Sequence, residues 1–295
     1  MSWIETYRGV VNRWEVDNVD HFTVEFYFGR FEDATLHLLH AVGLDPVALE
    51  GTGHAWVTLD GRVRYQRELR VGDVLHIQSG VIAVDEGGLV LGHHVFDSAD
   101  GTLTTTVEQR VALVRAGTRA PLSLTPAQQA AARTRQVEWS RTPEVVGPPE
   151  PATDDGFIES ARDAIKFSEG DMLGEATLAA YIHRFSAALG HMTAAFGMTP
   201  AYMTEQRRGF STFEFKLRLP GMLRTGDLVR VRTGLLHVGN SSLRMLHRMQ
   251  NARTGEAVAS LEQAGVHLDL DARRPTPLPH ALRERAKALV VGAAG

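Results

Sequence analysis

The chain has no cysteine among its 295 residues. Disulfides, thiolate metal sites and a cysteine nucleophile are therefore excluded together, and the composition fits a reducing compartment. Nor is there an excess of positive charge. The formal net charge is -4, which removes the electrostatic case for nucleic acid, whose binding depends on Lys and Arg contacts to phosphate. No run approaches the roughly 18 apolar residues of a membrane span, and the opening MSWIETYRGVVNRW has no apolar signal core. The expectation is a cytoplasmic protein with no membrane and no nucleic-acid partner. Common catalytic signatures are missing too. GTGHAW lacks the third glycine of a dinucleotide fingerprint, and no Gly-x-Ser-x-Gly or Walker pattern occurs. His93 and His94 stand without the context of a metal motif, so they read as strand residues.

What is present is a soluble globular composition, 43% hydrophobic and 22% charged, in a length that suits one large domain or two ordinary ones. A repeat decides for two. LRVGDVLHIQSG, from Leu69 to Gly80, returns as LRTGDLVRVRTG, from Leu223 to Gly234, 154 residues later. The same offset, without a gap, pairs Asp17 with Asp171, Tyr27 with Tyr181, Arg30 with Arg184, Phe31 with Phe185, His93 with His247 and Gln109 with Gln263. One register held over so many positions indicates two similar domains and not a solenoid, which needs several short units.

Each copy reads as strand, helix, then four strands. The helices are expected over about 23–42 and 175–196, from apolar positions at helical spacing that stop at Gly43 and Gly197. In DLVRVRTG, Val229 and Val231 point one way while Arg230 and Arg232 point the other, as a half-buried strand requires. The repeated Gly-Asp ahead of it is a turn signature. The expected division is an N-terminal domain over 1–115, a linker with a short helix over 116–155, and a C-terminal domain with a capping tail over 156–295. The linker contains TPAQQAAARTRQ and then TPEVVGPPEPATDD, too rich in proline and acid to pack.

A strand, one long apolar helix and a curling antiparallel sheet is the order of the hot-dog fold, an α+β architecture here doubled in tandem. WEVDNVDHFTVEFYFGRFEDA resembles the acyl-CoA thioesterase branch of hot-dog proteins and is similar to the 4-hydroxybenzoyl-CoA thioesterase family. That family places an Asp a few residues before the helix, then Gly-His-x-Asn, then an aromatic helix with a Tyr. Asp17, His21 and Tyr27 match; Asp20 stands where the family commonly has Gly, and Thr23 where it has Asn. The resemblance implies that single hot-dogs pair to build a site in their seam, and that a tandem chain keeps both halves of such a pair.

The implied activity is hydrolysis of an acyl-CoA or acyl-carrier thioester without metal or other cofactor. The alternatives are a hot-dog enoyl-CoA hydratase or dehydratase, and a non-catalytic acyl-CoA-binding protein. The implied partner is the small-molecule acyl thioester with its coenzyme A moiety, and a homo-oligomer of pseudo-dimers is compatible with it. Asp17 and His21 are the candidate catalytic pair. Asp17 lies just ahead of a helix N-terminus, whose first amides have no partner within the helix and carry the positive end of its dipole. The amide of Val24 is the implied donor to an oxyanion, and Asp17 the group that attacks or activates water. A turn or cap role is the competing reading for Asp17. Thr23, Tyr27 and Trp56 are candidate substrate contacts, Trp56 as a wall of an acyl pocket. In the second copy Asp171 is retained, whereas Glu175 replaces the histidine. Glu175 is a candidate acid or base, or simply an acidic residue in a helix's first turn. Arg62, Arg64, Arg67 and Arg70 offer contacts to phosphate, or else a solvated strand face.

Overall fold

The structure, a computed structural model, describes residues 3–140 and 147–292. The chain divides into two compact units, Met1–Pro143 and Glu144–Gly295. In the first unit the order is β1 (Ile4–Val10), α1 (Val24–Ala41), β2 (His54–Tyr65), β3 (Val74–Val84), β4 (Gly88–Asp97), β5 (Leu103–Arg115) and α2 (Pro126–Arg133). The second unit repeats it with β6 (Ile158–Ala164), α3 (Leu178–Ala195), α4 (Pro200–Gln206), β7 (Arg208–Arg218), β8 (Leu228–Val238), β9 (Ser242–Asn251), β10 (Ala257–Asp269), the two-residue β11 (Arg274–Pro275) and α5 (His280–Lys287). Within each unit five antiparallel strands lie in the order β1-β3-β4-β5-β2 and β6-β8-β9-β10-β7. Each is a hot-dog: a long helix against one face of a curled sheet.

The central helix is buried along one stripe. Tyr27, Phe28, Phe31, Ala34, Thr35, Leu38 and Leu39 are the buried residues of α1, spaced at three and four as a single face requires. The turn before β3 needs a left-handed residue, and Gly72 supplies it at φ 89°, as Gly226 does at φ 87° before β8. Asp73 and Asp227 close these turns by accepting the amides of Arg70 and Arg224, both at 2.8 Å.

One polar side chain from each strand, in sheet order, crosses the core of each unit. In the first, Thr6 lies 2.6 Å from Ser79, and Ser79 2.7 Å from His93 Nδ1. The line continues through Thr35 of α1 to Gln109, whose Nε2 donates to Thr58 at 2.8 Å. In the second, Ser160, Thr233, His247, Gln263 and Thr212 follow each other at 2.7, 2.7, 3.1 and 2.7 Å. Here the histidine reaches the glutamine directly, because Leu189 replaces Thr35. Each side chain named in these lines has a polar partner beside it, which is what makes such a line tolerable. Burial pushes both histidines down to about 4, so they are neutral.

The segment expected to be a linker is divided between the units. Thr125 caps α2 through the amide of Gln128, and Gln128 returns a bond to the Thr125 amide. Ala132 and Leu124 then enter the first unit's core. The acidic stretch packs as well. Asp154 bonds Arg248 at 2.6 Å and Arg232 at 3.2 Å, and Glu150 bonds Arg218 at 3.0 Å. Arg232 and Arg248 are opposed in the β8–β9 ladder, where like charges repel, so an acid laid over them relieves a cost the sheet would otherwise carry. Residues 141–146 of the proline-rich stretch lie outside the described residues.

Candidate functional site

The corner between β1 and α1 is a tight loop built on Asp17. Its Oδ1 accepts the amides of Val19 at 3.0 Å and His21 at 2.9 Å, while its own amide donates to the His21 carbonyl at 2.9 Å. The loop closes only if one residue turns left-handed. Asp20 does so at φ 66°, and Gly174 takes the same conformation at φ 72° in the second copy. Asp is among the few side chains that tolerate this region, so the departure from glycine leaves the backbone unchanged. Asp20 pairs with Arg70 at 2.9 Å and Arg13 at 3.0 Å. The hydrogen bond from Arg70 holds its carboxyl below the usual range.

Three anchors fix this corner. The Thr23 amide donates to the Glu15 carbonyl, and the Phe22 amide to the Leu69 carbonyl, both at 2.8 Å. Glu15 is buried, accepts the Asn12 amide at 2.8 Å and pairs with Arg30, whose guanidinium lies 5.2 Å from the Tyr7 ring centroid. Tyr27 is buried, and its hydroxyl lies at the backbone of Leu69; burial raises its phenol well above the ordinary value. The second copy repeats the arrangement: the Leu223 amide donates to the Tyr181 hydroxyl at 2.9 Å. Arg184, wholly buried, binds Glu169 at 2.8 and 2.9 Å and the carbonyls of Ala164 and Ala180.

Helix α1 starts on Thr23, whose side chain makes no capping bond. Among the described residues the Val24 amide donates to no backbone carbonyl outside the helix, as a first helical residue should. The corner thus collects an exposed carboxylate, a first-turn amide, the Thr23 hydroxyl and His21. The His21 ring lies mostly under cover, with Nε2 2.7 Å from Glu68 Oε2, a close polar contact too oblique to count as a hydrogen bond. Such a set can hold a carbonyl oxygen at the helix N-terminus and move a proton beside it.

Asp17, His21, Thr23 and Val24 meet at this corner, and Tyr27 lies one turn below it. Trp56 does not join them within its unit. It packs against the core cluster that contains Leu38, Leu39 and Val42, residues roughly 20 Å along the helix from Val24 at 1.5 Å per residue. In the second copy Asp171 repeats its counterpart, accepting Leu173 at 2.8 Å and Glu175 at 2.9 Å. Glu175, expected in the helix's first turn, lies before it. Thr177 is the N-cap, its hydroxyl accepting the Ala180 amide, and Glu175 is buried in an isolated bridge with Arg224. Of the arginines offered for phosphate, Arg67 is paired with Asp100 at 2.8 Å and Arg70 with Asp20 at 2.9 Å. Glu68 escaped sequence reasoning. Its signal was there: position 222 is Met, so the histidine and its acidic neighbour change together between the copies.

The model of the thioesterase-like superfamily matches residues 11–132 and again 165–286, the same offset as the internal repeat. An acyl-ACP thioesterase from Bacteroides thetaiotaomicron VPI-5482 is similar in structure at a TM-score of 0.67, with 14% identity over 88% of this chain and 96% of that one. The 12:0-ACP thioesterase from Umbellularia californica is likewise similar at 0.67, with 14% identity over 92% and 93% of the two chains. In sequence, an L-carnitine dehydrogenase/betainyl-CoA thioesterase of Rhizobium meliloti (strain 1021) is 29% identical over 99 residues, 34% of this chain. The match spans 20% of that longer relative.

Proposed function

Because the chain belongs to the thioesterase-like superfamily, we propose that it hydrolyses an acyl-CoA thioester to the free acid and the thiol. The observation that carries the proposal is the Asp17 corner: an exposed carboxylate, oriented by two amides, beside a helix N-terminus whose first amide, among the described residues, has no backbone acceptor outside the helix. In this reading the thioester carbonyl oxygen sits at the Val24 amide, which stabilises the negative charge as it develops. Asp17 takes a proton from water as that water attacks the acyl carbon. The tetrahedral intermediate then collapses, the C–S bond breaks, and the departing sulfur takes the proton held by Asp17 to leave as thiol, which returns Asp17 to its carboxylate. His21 lies beside the reacting centre and orients the substrate, and Thr23 and Tyr27 belong to the wall around it. Asp171 with Glu175 forms a second corner of weaker ability, since it lacks the histidine. The coenzyme A moiety is the proposed handle, and the cytoplasm the proposed site of action.

The test is release of free thiol, followed with a thiol reagent, from a panel of acyl-CoA esters that includes betainyl-CoA and medium- and long-chain esters, with acyl-carrier-protein esters alongside. Hydrolysis of at least one member is expected. A hydratase or a non-catalytic acyl-CoA-binding protein releases no thiol from any of them, and that result rejects the proposal.

A further inference from the structure

We infer that Glu68 is a positioning residue that sets the ring of His21, and that this His–carboxylate couple is what distinguishes the first corner from the second. The inference rests on the thioester-hydrolysis reading for its kinetic consequences, though the contact itself does not.

Two side chains make the couple. His21 Nε2 is 2.7 Å from Glu68 Oε2, with the side chains 13% and 29% exposed. The backbone on both sides is already fixed. The His21 amide and carbonyl are both bonded to Asp17. The residue after Glu68, Leu69, is 1% exposed, gives its carbonyl to the Phe22 amide and is bonded at its backbone by Tyr27. What the backbone leaves open is rotation of the imidazole about its own side-chain bonds. A carboxylate against one ring nitrogen closes that freedom and leaves the other nitrogen, Nδ1, as the one to face a substrate. Catalytic hydrogen bonds are often loose before substrate arrives and tighten in the complex, which suits an oblique contact at this distance.

The second copy is an internal comparison with the backbone held constant. The Ala176 amide donates to the Leu223 carbonyl at 2.8 Å, and the Leu223 amide donates to Tyr181 at 2.9 Å, so the frame around Leu69 is reproduced. The two side chains are both exchanged: Glu175 stands for His21 and Met222 for Glu68. Two acids at those positions would repel; an acid with a thioether does not. In the first copy Arg70 and Arg13 both pair with Asp20, and Glu68 places its carboxylate at the His21 ring.

The experiment uses the full chain and the panel substrate with the highest turnover. Glu68→Gln, His21→Gln and the double variant are compared, with Asp17→Asn as reference and melting temperature as control. An orienting carboxylate is worth up to about 10⁴ when wholly buried. At partial exposure Glu68→Gln is expected to lower kcat by about 10–100-fold with KM within about twofold. The double variant should be no slower than His21→Gln alone, because the two residues act as one. Additive losses, unchanged kcat in Glu68→Gln, or a loss confined to KM would overturn the inference. Should Glu68→Gln not fold, Glu68→Met, the side chain that the second copy carries on this frame, replaces it. A second readout needs no substrate. In protein labelled with ¹⁵N-histidine, the His21 ring signals, assigned by their disappearance in His21→Gln, should move in the Glu68 variant while those of His93 and His247 stay. Unmoved His21 signals reject the couple even if hydrolysis is observed. Moved signals with no hydrolysis anywhere in the panel leave the couple standing and reject the thioesterase reading.

Discussion

Acid should destabilise this protein through two buried histidines. His93 and His247 are wholly buried in their polar lines and held down to about 4, chiefly by burial, against 6.5 for the free side chain. In the unfolded chain each takes a proton as pH falls through 6.5; in the fold each refuses it until about 4. Over that window the unfolded state binds more protons, so stability is whole above 6.5 and falls with falling pH. The interval is about 2.5 pH units, and at about 1.36 kcal/mol per unit each histidine withholds about 3 kcal/mol by pH 4. Two such losses are comparable with the whole stability of an ordinary domain, about 5–15 kcal/mol. Urea unfolding at intervals from pH 7.5 to 4 would measure it, with His93→Gln and His247→Gln beside the wild type. Glutamine keeps a donor and an acceptor for the line but cannot be charged. At pH 7.5 each substitution should cost about 1–3 kcal/mol from imperfect bonding, while the slope between pH 6.5 and 4 should flatten by up to one proton per site. A variant whose stability falls with pH as steeply as the wild type would refute the reasoning.

Other expectations follow from named contacts. Tyr181→Phe leaves the buried Leu223 amide without its acceptor and should cost about 1–3 kcal/mol in chemical denaturation; no change would mean that the amide finds another partner. Arg184→Met strands Glu169 and the Ala164 carbonyl at about 3–5 kcal/mol. By contrast Arg8→Ala, which loses only an exposed pair with Glu5, should leave the denaturation midpoint essentially unchanged, because exposed pairs are screened by solvent. Asp171→Asn should slow turnover on the best panel substrate much less than Asp17→Asn. Equal losses would mean two equivalent corners.

The tandem organisation was legible because the two copies keep their turn residues in one ungapped register: Gly72 and Gly226 must be left-handed, and Asp73 and Asp227 must close the same turn. The central helix was legible from the spacing of Tyr27, Phe31, Ala34 and Leu38, all buried. Its start in the second copy was read three residues early, because Glu175 suits a first turn by charge while the hydroxyl of Thr177 takes the cap. Packing that depends on distant strands was not legible. Proline and acid in the connector suggest a tether, yet Asp154 lies against Arg232 and Arg248, a pairing that exists only once β8 and β9 are in register. Trp56 sits in a strand whose place along the helix is set by the whole sheet, so its distance from Asp17 could not be read from spacing. Glu68 was hidden for the same reason: it stands 47 positions after His21 in the chain, and only the fold sets the two side by side.

The most direct measurement of the central claim is kcat for Asp17→Asn on a hydrolysed panel substrate, with the melting temperature recorded on the same sample. Asn retains the shape and can replace Asp at a turn or cap, so the variant should fold with little change in melting temperature. Loss of the base should lower kcat by about 10²–10⁴-fold while KM changes little, because in the proposed reading Asp17 acts on the attacking water and not on the acyl or coenzyme A groups. A folded Asp17→Asn protein that keeps more than about a tenth of the wild-type kcat, well outside that range, would contradict the account and leave Asp17 as the residue that shapes the loop.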